Sequence, residues 1–222
     1  MTDLLIYGVG PLAKLMHFYF THDSDYRVVA FTADSQFVME KTFCGLPVLP
    51  FDIVTEKYPP DSVRMFVAIG YRHMRNRQVL FDRAKAKKYV LANYISSRTV
   101  RFPDLRIGEN NVAMANVQFE PFVTVGDNNL FWSDTLIGHE VSISDHNYVA
   151  AKCLISGNCI IEDGCFLANG VVLINALTIK RESHLLPGSV VMQNTQAYHR
   201  YMGNPARVIG NHKEHGIVVE RG

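Results

Sequence analysis

Two sets of residues in this 222-residue chain have types and spacing that could do chemistry. The first is His139 followed at once by Glu140, inside Ile137-Gly138-His139-Glu140-Val141-Ser142-Ile143-Ser144-Asp145. Imidazole changes charge near neutral pH, so it can take a proton as a general base. A carboxylate can orient such a ring through its other nitrogen. Glu140 is the first candidate for that task, and Asp134, a little before the histidine, is the second. Gly157 lies three hexapeptides beyond His139. A position without a side chain admits a reacting carbonyl, and its backbone N–H can face a developing oxyanion. The second set is Gly8, Gly10 and Ala13, which fit G-x-G-x-x-G/A. Such a turn brings the backbone close to a phosphate at a helix N-terminus. Asp34, just beyond the next strand, stands near the place of an acid that reads a ribose or a base.

The first set sits in a repeat. Apolar residues fall every six positions from Ile107 to Val191, through Phe119, Val125, Phe131, Ile137 and their successors, which makes 15 hexapeptides without a slip. Only Ala113 in that column is small. A period of six is the mark of a parallel β-helix, whereas a helix would place residues six apart far apart around its axis. Four positions after each apolar one stand small or β-branched residues such as Val117, Val141, Cys153, Cys159, Cys165 and Ser183. They suit the inside of a narrow triangular prism. Asn, Asp and Gly at Asn110, Asp127, Asn128, Asn158 and Gly164 suit its corners. Three hexapeptides close one coil, so each residue stacks on the one three hexapeptides later, and 15 hexapeptides give five coils. His139 is third in its hexapeptide, which points it outward.

The second set opens an alternation of strands and helices. Leu4–Tyr7 reads as a strand, Lys14–Phe20 as a helix, Arg27–Thr32 as a strand and Met65–Ile69 as a strand ending at Gly70. Asn76–Lys88 reads as a helix and Tyr89–Tyr94 as a further strand. This predicts a half-Rossmann domain over 1–95, a β-helix over 96–197 and a C-terminal tail over 198–222. Gly8, Gly10, Ala13, Asp34 and Gly70 are then the residues placed to bind a nucleotide-bearing substrate.

Lys and Arg number 22 and Asp and Glu 21, a net charge of +1 that points to neither nucleic acid nor an acidic membrane surface. The first residues lack a basic lead and a cleavage site, and no apolar run is long enough to span a bilayer. A cytoplasmic protein is expected. Four cysteines, three of them inward positions six apart, read as core filler and not as a metal or disulfide framework.

The repeat resembles that of the left-handed β-helix hexapeptide-repeat acyltransferases, and Gly203-Asn204-Pro205-Ala206 resembles the Gly-x-Pro-Ala that closes many of them. With a half-Rossmann domain in front, the chain looks like the sugar-nucleotide N-acetyltransferases of the bacillosamine, perosamine and viosamine pathways and the related sialic acid O-acetyltransferases. The resemblance implies a left-handed coil, a homotrimer, and acetyl-CoA held between subunits. It implies N-acetylation of a nucleotide-linked amino sugar, a UDP- or dTDP-4-amino-4,6-dideoxy sugar, for a bacterial surface glycan such as lipopolysaccharide O-antigen. His139 matches the family's general base and Glu140 its acid. Tyr148 aligns with a second histidine that touches CoA, and His146 lies just before it. Ala150, Ala151 and Ala168 would floor the pantetheine slot beside Gly157, and Lys180 and Arg181 would meet the CoA phosphates.

Some positions depart from the family. Trp132 replaces an asparagine, Gly138 an acid, and Pro11-Leu12-Ala13 a Gly-His-Gly turn. These departures bear on the sugar more than on the reaction. O-acetylation of a sugar and a non-catalytic nucleotide-sugar-binding protein are the alternatives. A zinc enzyme is not expected, because the stacked partners of His139 are Pro121, Gly157 and Asn175, none of which completes a three-histidine site.

Overall fold

The computed structural model describes residues 1–219, which divide into two compact units. The first comprises Met1–Gly70 and Asn76–Tyr94; the second comprises Tyr71–Arg75 and the chain from Ile95 onward.

In the first unit β1 (Thr2–Tyr7), β2 (Tyr26–Ala33), β4 (Leu46–Pro50) and β5 (Arg64–Val67) lie parallel in the order β4-β2-β1-β5, and β3 (Thr42–Phe43) adds an antiparallel edge to β4. The central strand β1 buries Leu4, Leu5 and Ile6 completely, as a strand covered on both faces must. Helix α1 (Pro11–His22) follows β1, with Gly10 as N-cap and Pro11 at its start. A short helix α2 (Val54–Lys57) and helix α3 (Met74–Ala86) complete the helical elements. This is the half-Rossmann arrangement expected. Tyr89–Tyr94, expected as a strand, is not one. The segment meets β5 at one bridge, Leu91 to Met65, where Met65 donates to the Val90 carbonyl at 3.1 Å and accepts from Ala92 at 2.8 Å; the Tyr89 hydroxyl donates to the Tyr58 carbonyl at 2.6 Å and the Tyr94 hydroxyl to Asp23 at 2.8 Å. β6 (Tyr94–Ile95) marks the passage to the second unit.

The second unit is a left-handed β-helix. Two-residue strands β7 to β21 recur at every hexapeptide, from Arg106–Ile107 to Val190–Val191, in three parallel sheets. Strands three hexapeptides apart pair in register, as Leu136–Ile137 does with Leu154–Ile155. The predicted column fills the prism: Phe119, Phe131, Ile137, Ile155, Leu167 and Leu185 are fully buried, as are Cys159 and Cys165.

Each hexapeptide turns at one residue in the left-handed region. These residues fall at every sixth position from Asn110 to Gly188, and include Asn128 (φ 57°), Glu140 (φ 60°), His146 (φ 62°) and Gly164 (φ 67°). Asn and Gly tolerate that region well, and bulkier side chains do so at a cost. A ladder inside one corner was not apparent in the sequence. Asn111, Asn129 and Asn147 are buried, and each side-chain carbonyl accepts the backbone N–H of the coil above, at 2.9 Å from Asn129, 2.9 Å from Asn147 and 2.7 Å from Cys165.

Beyond the repeat, β22 (His199–Gly203) continues the face built by the strands at 112–113, 130–131, 148–149, 166–167 and 184–185, and β23 (Ala206–Asn211) folds back on it as a hairpin. The region predicted as a tail thus contributes two strands; its last three residues lie outside the described ones. Ile217–Val219 then pairs with Arg72–Met74: Met74 donates to the Ile217 carbonyl at 3.1 Å and Val219 to the Arg72 carbonyl at 3.0 Å.

Candidate active site

His139 stands on the corner between β12 (Leu136–Ile137) and β13 (Ser142–Ile143) and is exposed, as its place in the hexapeptide predicted. Its Nδ1 lies 3.2 Å from Oε2 of Glu140. A carboxylate only accepts, so Nδ1 carries the proton and Nε2 keeps the lone pair in the neutral ring. That leaves Nε2 as the basic atom. Glu120, which the sequence does not single out, holds the loop from one coil below by accepting the backbone N–H of His139 at 2.8 Å. Its signal was available, since it lies one position off the stack that runs through His139. Glu140 occupies a left-handed turn position that Asn or Gly would fill with less strain, which fits a side chain kept for what it touches.

Gly157 stacks one coil above. A Cβ built on it would lie 2.5 Å from Nε2 and 2.6 Å from Cε1 of His139, so the imidazole occupies the space a side chain would need. Among the described residues, the Gly157 N–H donates to none, whereas the neighbouring Asn158 N–H bonds the His139 carbonyl at 2.9 Å. A lone pair on Nε2 and an uncommitted backbone donor therefore share one corner. Asp134, the second candidate acid, accepts from Asn116 at 2.9 Å and takes no part in that pairing. His146 is committed through Nδ1 to Asn128 at 3.0 Å.

A second feature lies on a different corner. Tyr148, Ala150 and Ala168 line a cavity of about 560 Å³ on the β14 (Tyr148–Val149), β17 (Phe166–Leu167) and β20 (His184–Leu185) face. Tyr148 and Phe166 stack with centroids 4.9 Å apart and planes 1° apart, and Tyr71 tilts over both. Val218 and Val219 close another side. His184 also lines the cavity; burial, then Arg200 and His212, depress its pKa to about 4. Trp132 tilts against Tyr148 at 6.4 Å, and its indole nitrogen is buried without a hydrogen-bond partner among the described residues. Ala151 follows Ala150 on the same corner. Phe166 and His184 could have been found by stepping one and two coils along the repeat from Tyr148. Tyr71 could not, because no periodicity links it to the repeat.

Lys180 lies away from both features. It pairs with Glu162 at 2.7 Å on the third corner, and this contact, ahead of the backbone N–H of Arg181, lowers the Glu162 pKa.

In the first unit, Gly8 has φ 138°, and a Cβ there would stand 2.8 Å from the Ala68 carbonyl oxygen, so only glycine lets the end of β1 pass the end of β5. Gly10 and Gly70 face open space. Ala13 lies on the fully buried face of α1, where its small size serves helix–sheet packing. The uncapped start of α1, with no acid in its first turn, is suited to an anion. Asp34 is not free: Oδ1 accepts from Tyr7 at 2.7 Å and Oδ2 from Arg83 at 2.8 Å. Among the described residues, no group of three His, Cys, Asp or Glu is placed to hold a metal, and no helix is long and apolar enough to cross a membrane.

The architecture is thus a half-Rossmann unit and a left-handed β-helix with a histidine–glycine corner. Solved proteins share this fold, among them the following. A histidine-to-asparagine variant of perosamine N-acetyltransferase from Caulobacter crescentus, in complex with CoA and GDP-perosamine, is similar with a TM-score of 0.83 and 22% identity over 95% of this chain and 98% of that one. The acetyltransferase domain of PglB from Neisseria gonorrhoeae has a TM-score of 0.83 and 19% identity over 94% of this chain and 100% of that one. WeeI from Acinetobacter baumannii has a TM-score of 0.75 and 22% identity over 94% of this chain and 100% of that one. At these identities the likeness establishes the fold. No protein-family model matches the chain, and no curated protein does.

Proposed function

We propose that the protein is an acetyl-CoA-dependent N-acetyltransferase acting on a nucleotide-linked amino sugar destined for a bacterial surface glycan, working as a cytoplasmic homotrimer. The observation that carries this is the corner where Nε2 of His139 rests against Gly157. The sugar amine attacks the thioester carbonyl carbon while Nε2 takes its proton. The carbonyl oxygen gains charge opposite the Gly157 N–H, and the tetrahedral species collapses by breaking the carbon–sulfur bond and releasing CoA thiolate. Glu140 keeps the ring in the required tautomer. The neighbours support the substrate classes: the Caulobacter protein was solved with CoA and GDP-perosamine, and the PglB domain with acetyl coenzyme A.

The placement of the two features supports the trimer. His139 and the Ala150–Ala168 cavity occupy the two corners that flank one face, the sheet of β9 (Gln118–Phe119), β12, β15 (Leu154–Ile155), β18 (Val172–Leu173) and β21 (Val190–Val191). Its outward column is apolar and at least partly exposed at Leu136, Leu154, Val172 and Val190. Turning that face toward a threefold axis sets the His139 corner of one copy against the cavity corner of the next. The thioester would then lie between them, with Tyr148, Ala150, Ala151 and Ala168 from one subunit and His139 and Gly157 from its neighbour. The nucleotide sugar would use the turn at Gly8 and Gly10 and the open ground at Gly70.

The test is a panel of UDP-, dTDP- and GDP-linked amino sugars with acetyl-CoA, scored by thiol release. The reading predicts turnover with at least one of them and with no matched hydroxyl sugar. Turnover of the hydroxyl sugars alone would reassign the protein as an O-acetyltransferase. Failure to bind acetyl-CoA in calorimetry would leave only a binding role.

A further inference from the structure

The cavity beside Tyr148 has a cation at its far end. The outward column of that face runs Tyr148, Phe166, His184 and then Arg200, because β22 pairs with β20 with Arg200 opposite His184. Three strand spacings of about 4.8 Å place the ends of the column about 14 Å apart. The Arg200 stem passes Gly210, where an added Cβ would lie 3.9 Å from its Cδ, and its side chain is exposed and lines the cavity.

Within this unit Arg75 pairs with Glu182 at 3.1 Å and Lys180 with Glu162 at 2.7 Å. Arg200 forms no ion pair among the described residues. Its charge acts on His184 and His212: burial and then Arg200 lower the His184 pKa, and burial lowers that of His212 against the opposing pull of Glu182, with Arg200 adding to the lowering. His212 is in turn fixed through Nε2 to the Glu182 carbonyl at 2.7 Å. Among the described residues the cavity lining around this guanidinium holds no carboxylate, an arrangement that suits an anion from outside. The remaining wall, with Ala150 and Ala168 along one side and stacked rings beneath, suits an uncharged arm. Acetyl-CoA has that layout, an uncharged thioester arm ending in phosphates.

We infer that Arg200 anchors a phosphate of the nucleotide end of CoA, and that Lys180 does not. The inference rests on the acetyl-CoA reading above and specifies which residue sets cofactor affinity.

Calorimetry of the wild type, Arg200→Gln and Lys180→Gln against CoA, 3′-dephospho-CoA and pantetheine tests it. Arg200→Gln should weaken CoA about tenfold or more, leave pantetheine unchanged and keep the wild-type melting temperature; Lys180→Gln should stay within about twofold of wild type. If the Arg200→Gln loss disappears with 3′-dephospho-CoA, the anchored group is the 3′-phosphate; if it persists, it is the diphosphate. Unchanged CoA affinity in Arg200→Gln, or an equal loss for pantetheine, overturns the inference while leaving acetyl-CoA as the cofactor. A wild type that binds no CoA overturns both.

Discussion

A methyl group on Gly157 would stand 2.5 Å from Nε2 of His139. The two residues are three hexapeptides apart in sequence and one coil apart in space, so the repeat sets their distance. Gly157 does not need glycine for its backbone angles, since its φ lies outside the left-handed region. Gly157→Ala should therefore fold with a melting temperature within a few degrees of wild type. It should displace the imidazole and lower kcat/KM for acetyl-CoA by about tenfold to a hundredfold, the scale of a small misplacement of reacting groups. Steady-state kinetics with a thiol reagent would show this. Wild-type kinetics in Gly157→Ala would mean that the ring has room to move without consequence.

Removing the base is a separate test. His139→Ala and His139→Asn should keep the oligomer and CoA affinity, because the ring packs in neither the prism interior nor the cavity. Turnover should fall by about two to four orders of magnitude, the usual worth of a general base. The acidic limb of the rate profile, where a base is lost by protonation, should change more than KM for the sugar nucleotide. If His139→Ala turns over normally at neutral pH, the base lies elsewhere. His146 would be tested next, although its Nδ1 is already engaged by Asn128.

Glu140→Gln should cost less than loss of the ring. A glutamine oxygen can still accept from Nδ1–H, so orientation survives while the compensating charge is lost. A fall of about threefold to thirtyfold in kcat is expected, against the larger loss in His139→Ala. A Glu140→Gln enzyme as slow as His139→Ala would make the carboxylate a direct participant.

The prism was legible because it must bury one large residue at every step, and a hexapeptide period admits few other folds. The histidine was legible for the same reason, since its offset from Ile137 fixed its direction. The asparagine ladder was not, because Asn111, Asn129 and Asn147 look like turn residues until neighbours from successive coils are brought together. Asp34 read as an open acid because its partners, Tyr7 and Arg83, are far from it in sequence. Lys180 read as a free base for a similar reason, and the cavity's Tyr71 and Arg200 come from segments outside the repeat.

The ladder makes a stability prediction. Asn129 is fully buried; its Oδ1 accepts the Asn147 N–H at 2.9 Å and its Nδ2 donates to Asn111 at 3.1 Å. Asn129→Ala leaves a buried donor without its acceptor, removes one hydrogen bond to Asn111 and opens a small void. Each orphaned group costs about 1–3 kcal/mol, so a loss of about 2–4 kcal/mol is expected in urea denaturation. Ser142→Ala, which removes an exposed bond from Thr124, should change stability by less than about 0.5 kcal/mol. Equal effects in the two variants would show that the ladder is no more than surface decoration.

The last prediction concerns Asp34 and pH. Its hydrogen bond from Arg83, helped by that from Tyr7, outweighs burial and holds its pKa below the ordinary carboxylate value. A folded-state pKa below the unfolded one means that the folded protein binds the proton less readily than the unfolded chain. The stabilisation is therefore complete above the unfolded value of about 3.9 and disappears as pH falls through the lower folded value. Arg83 also lies over the Phe51 ring, 5.0 Å from its centroid, and Tyr7 stacks on the same ring at 4.1 Å, so the pair is fixed to the sheet end and does not wave in solvent. Asp34→Asn should thus be less stable than wild type at pH 7, and the gap should close in the acid range below about pH 4. Thermal melts of both proteins from pH 7 to pH 3 would measure it. A gap that stays constant across that range would mean that the Asp34 charge does not contribute and that the amide replaces it in every respect except sterics.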